Sequence, residues 1–99
     1  MNGDLKQKWI SALRSGEYKQ ARLCLFNGEG YCCLGVLCKI AGREVPMHSM
    51  DPADDVKEKN EYFWIDSIIG EGHRCNLVIK NDEMQRTFAE IADYIEAIL

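Results

Sequence analysis

The chain has few of the features that announce a reaction. Its 99 residues hold only two prolines, and nearly half are apolar, which excludes a disordered or low-complexity chain. No run of apolar residues approaches the roughly 20 needed to cross a bilayer. The opening MNGDLKQKWI mixes charge with polarity and predicts no secretory signal, so a cytosolic setting is the default expectation. There is no phosphate-binding glycine loop and no dinucleotide fingerprint. A broad basic face is also missing: the formal net charge is −4, which disfavours general nucleic-acid binding. There are no internal repeats, and the length suits one domain, residues 1–99, with a core of its own.

The charge is unevenly placed. Residues 1–50 carry seven Lys/Arg against four Asp/Glu, whereas residues 51–66 carry six acids against two lysines. Residues 67–99 add six acids and three bases. The early surplus, with Arg14, Tyr18, Lys19, Gln20 and Arg22, combines phosphate donors with an aromatic ring, a pattern suited to an anionic or nucleotide ligand. The later acids, Asp54, Asp55, Glu90 and Asp93, suit contact with a basic protein. Ordinary solvated charge is the plain alternative for both sets.

Five cysteines are present, three of them in GYCCLGVLC, residues 30–38. An odd count with two adjacent members and no secretory signal predicts free thiols. Structural zinc sites pair ligands two to four residues apart; Cys33 and Cys38 have four residues between them, but no other pair is close. A nucleophile at Cys33 would gain from a helix N-terminus and would need His48 or His73 as its base. The simplest reading makes the run a buried strand entering a buried helix, with no metal, no cofactor and no catalytic residue.

The periodicity predicts an α+β domain. DLKQKWISALRSG places Leu5, Trp9, Ala12 and Leu13 on one helical stripe, capped by Asp4 and stopped by Ser15-Gly16. Residues 18–33 read as a β-hairpin turning at NGEG. LGVLCKIAG, about 34–41, reads as a central helix in which Gly35 lets a neighbouring backbone approach. Residues 43–61 read as a long acidic loop holding at most one helical turn, and 62–66 as a further strand. GHRCNLVIKND fits either a strand or a short helix. Thr87-x-x-Glu90 reads as a capping box before a terminal helix with Phe88, Ile91, Ala92, Ile95 and Ile98 on its buried side.

In this order, KWISALRSGEYKQ, YCCLGVLCKIAG and TFAEIADYIEAIL resemble a widespread family of small phage and prophage proteins, mainly uncharacterised accessory proteins. The resemblance implies a bacterial cytoplasm during infection. It favours a phage-encoded inhibitor that binds a host defence protein. The alternative is a sponge for a nucleotide immune signal, with subunits associating around the ligand; a cysteine-dependent enzyme ranks third.

Overall fold

A computed structural model describes residues 1–48 and 51–99 and differs from the expected architecture: among the described residues every regular element is helical, and none forms a β-sheet. The helices are α1 (Gly3–Ser15), α2 (Cys33–Ile40), α3 (Pro52–Ile69), α4 (Glu71–Val78) and α5 (Phe88–Ile98). A π-helical turn, Ile79–Glu83, prolongs α4.

Helix α1 begins two residues earlier than its acidic residue suggests. Asn2, not Asp4, is the N-cap: its side-chain oxygen accepts from the Asp4 and Leu5 amides. Gly16, in the left-handed conformation, ends the helix. Trp9, Ile10 and Leu13 are buried, and the Trp9 indole donates to the Cys33 carbonyl at 2.8 Å, tying α1 to the start of α2.

The expected hairpin is absent. NGEG does turn, with Asn27 Oδ1 accepting from the Glu29 and Gly30 amides. Yet α2 starts at Cys33, so the returning arm ends almost as soon as it begins. Tyr31 alone makes two isolated bridges, to Gln20 and to Phe26. Leu23, at φ +70°, also breaks the outgoing arm. Helix α2 behaves as expected: residues Cys33 to Cys38 are all buried, and a methyl group on Gly35 would overlap the Leu25 carbonyl oxygen.

Of the expected acidic loop at 43–61, residues 43–48 carry no regular element and 49–50 lie outside the described residues, but 52–61 is helix, and so is the expected strand at 62–66. Asp51 caps α3 through the Ala53 amide, and Pro52 occupies the first turn without losing a bond. Asp54 and Asp55 then sit at the positive end of the helix dipole, and Lys59 pairs with Asp55 one turn on. Only Glu61, Ile65 and Ile69 are buried, at a spacing of four. Gly70 separates α3 from α4, and GHRCNLVIKND resolves as helix.

Helix α5 carries the complete capping box between Thr87 and Glu90. Phe88, Ile91, Ala92 and Ile95 join the core against α1, while Ile98 is 54% exposed. One core therefore joins α1, α2, the second half of α3, Leu77 of α4 and α5. No helix among the described residues is long and apolar enough to cross a membrane.

Candidate functional site

The residues proposed for a nucleotide or anion go to different neighbours. Arg14 reaches α5, where one nitrogen lies 2.7 Å from both Asp93 and Glu96. Those hydrogen bonds, Glu96's first, raise its pKa further above the ordinary arginine value. Tyr18 packs edge-on against Tyr31, and Lys19 meets Glu29 at 3.3 Å. Gln20 donates to Asn81 Oδ1 and to the Arg86 carbonyl. Arg22 is exposed.

The acidic residues are similarly placed. Asp93 holds Arg14 and Asp55 holds Lys59. Glu90 accepts from the Thr87 amide and from Arg86, and these bonds, the amide first, hold its carboxyl below the ordinary range. Asp54 is half-buried on the wall of a cleft between α3 and the segment following α2. That cleft, about 720 Å³, is also lined by Phe26, Arg43, Met47, Lys57 and Glu61. Arg43 and buried Glu61 form a bidentate pair at 2.7 and 2.9 Å, and the guanidinium lies 4.6 Å from the Trp64 ring centroid. With Glu44, Asp54 and Glu61 lining it beside Arg43 and Lys57, the cleft mixes both signs and offers no positive excess to a phosphate.

The cysteines occupy the core. Cys32, Cys33 and Cys38 are buried, and Cys24 joins them. Burial pushes the Cys32 thiol up to about 12, Cys33 well above its usual value, and Cys38 up as well, with the nearby Glu61 charge adding to the effect. The expected lowering of Cys33 by the helix N-terminus is thus outweighed by desolvation. Its thiol donates weakly to the Leu77 carbonyl, and His48 lies against Glu58 at 3.2 Å. Cys32 has a role that its sequence position did not suggest: its sulfur accepts from the Gly35 amide as the N-cap of α2. Among the described residues, no three His, Cys, Asp or Glu side chains converge as metal ligands.

Two features escaped the sequence reading. Asn81, 1% exposed, uses its whole amide: Oδ1 accepts from Gln20 and the Cys33 amide, and Nδ2 donates to the Ala21 carbonyl and Asp82. Nothing local in sequence marks a partner 48 or 61 residues away. The second is the outer face of α3. None of residues 52–60 is buried, and Val56 and Phe63 are 55% and 72% exposed. At 100° per residue, Phe63 stands about 200° round the helix from buried Ile65. The i, i+7 pair of Val56 and Phe63 could have been found as a second apolar stripe.

No curated protein and no solved structure matches this chain. A family model matches residues 1–71, which span α1, α2 and α3 and the segments joining them. The match includes the acidic helix and stops before the α5 block TFAEIADYIEAIL. By that match, the chain belongs to the family described as a domain of unknown function, DUF8296.

Proposed function

We propose that this chain is a phage-encoded accessory protein that acts in the bacterial cytoplasm by binding, and so inhibiting, a host defence protein. The observation that carries the reading is the outer face of α3: none of residues 52–60 is buried, Val56 and Phe63 are exposed, and Asp54 and Asp55 lie on the same helix. Exposed large apolar groups beside charge are what a protein interface needs: apolar anchors for affinity, acids for steering toward a basic partner. The resemblance of the sequence blocks to phage accessory proteins supplies the setting.

A nucleotide sponge would need Arg14, Tyr18, Lys19, Gln20 and Arg22 to act together. Arg14, Lys19 and Gln20 already hold Asp93, Glu96, Glu29, Asn81 and Arg86. Binding would have to break those contacts first, so protein binding is the stronger reading.

The test is capture from defence-carrying bacteria with the tagged chain, read by mass spectrometry for proteins and nucleotides together. A host protein is expected, held more weakly as salt rises and about tenfold more weakly by Phe63→Ala. A nucleotide as the sole specific companion would refute the reading.

A further inference from the structure

Leu23 is anomalous twice over. It is a large apolar side chain with φ +70°, a backbone region that branched and bulky residues avoid, and it is 81% exposed. Neither property helps the fold. A glycine or asparagine would take the same turn without strain, and an exposed leucine buries nothing.

The surroundings nevertheless hold it firmly. The Leu23 amide donates to Asp82 Oδ1 at 3.0 Å. On one side of it the Ala21 carbonyl accepts from Asn81, and Gln20 bonds both Asn81 and the Arg86 carbonyl. The partners all belong to the π-helical turn and the residues just after it, where Gln85 is the second non-glycine residue at positive φ, +52°. A π turn and two strained residues, clamped together by a buried asparagine, form an over-determined local structure of the kind retained for function. Its outward product is an apolar knob, Leu23, with exposed Met84 two residues beyond the Asp82 that holds it.

We infer that Leu23 is an anchor residue that inserts into an apolar pocket of a protein partner whose rim is acidic. The rim follows from Arg22, the adjacent exposed cation, whose guanidinium makes no hydrogen bond or ion pair among the described residues. A membrane is the poorer occupant, because one leucine and one arginine offer less than a single acyl chain, which is itself only a marginal anchor. The inference rests on the protein-binding reading for the existence of a partner; the contact point is independent of α3.

The test uses three full-length baits: wild type, Leu23→Gly and Val56→Ser/Phe63→Ser. Leu23→Gly is expected to melt at or above the wild-type temperature, since glycine relieves the strain. It is also expected to lose a host protein that wild type captures. Titration of that purified protein should show at least tenfold weaker binding for Leu23→Gly and clear weakening for Arg22→Glu. A melting temperature several degrees below wild type would mean that Leu23 serves the fold, and would overturn the inference. Full capture by Leu23→Gly, with loss only in the α3 variant, would overturn it while leaving the protein-binding reading intact. Capture of nothing by wild type would end both. Co-sedimentation of wild type but not Leu23→Gly with phosphatidylserine-containing vesicles would replace the protein partner with a membrane.

Discussion

Gly35 and Asn81 carry more of the structure than their size suggests. Any side chain at Gly35 meets the Leu25 carbonyl, a backbone group that cannot step aside cheaply. Gly35→Ala should therefore destabilise the protein by about 3 kcal/mol, read as a fall in the urea midpoint. Asn81→Ala should cost about as much, because it strands the Cys33 amide and the Ala21 carbonyl in the interior. The close approach at Gly35 was legible, since a glycine amid an apolar helix has few other uses. Asn81 was not, since its partners are brought to it only by the tertiary fold. The thiols offer a third check at this scale. With a disulfide-exchange reagent at neutral pH, half-exposed Cys75 should react first, and Cys32, Cys33 and Cys38 only as fast as the protein opens. Rapid labelling of Cys33 in the native state would revive the nucleophile reading.

Helices α1, α2 and α5 were readable because each carries its evidence locally: a stripe, a stop or a cap. Helix α3 hid because only three of its eighteen residues are buried, so its inner stripe is faint. Its aromatic and β-branched residues then suggested a strand that does not form. The Asp-Pro start followed by acids was the better signal. The apparent hairpin failed for a different reason: α2 claims the chain at Cys33 and leaves no return strand to pair. Asn60→Pro discriminates helix from loop directly. In a helix it removes a backbone bond and should cost about 3 kcal/mol with a loss of far-UV helical signal; a loop would tolerate it. At α5, Glu90 titrates below the ordinary carboxylate range. Its contribution is therefore present above the unfolded-state value of about 4.3 and lost as pH falls through the lower folded value. Glu90→Gln, which keeps a capping-box side chain, should lose less melting temperature than wild type between about pH 6 and about pH 3.

At the scale of the whole molecule, the Cα radius of gyration of 12.3 Å matches the roughly 13 Å expected for a compact domain of this length. Much of the charge that looked available in the sequence is engaged within the chain: Arg14 with Asp93 and Glu96, Arg43 with Glu61, Arg74 with Asp66. Among the large apolar side chains, Leu23, Val56 and Phe63 nevertheless face outward, each more than half exposed. That balance is why binding a protein, rather than a reaction, is the function proposed. The most direct measurement is plaque formation by defence-sensitive phages on a panel of bacteria, each carrying one defence system, with and without this chain expressed. The account predicts that wild type restores plaques on at least one defence-carrying strain, that Phe63→Ala restores fewer, and that strains lacking the defence show no change. Failure to restore plaques on every strain, with the protein folded and abundant in the cells, would contradict it.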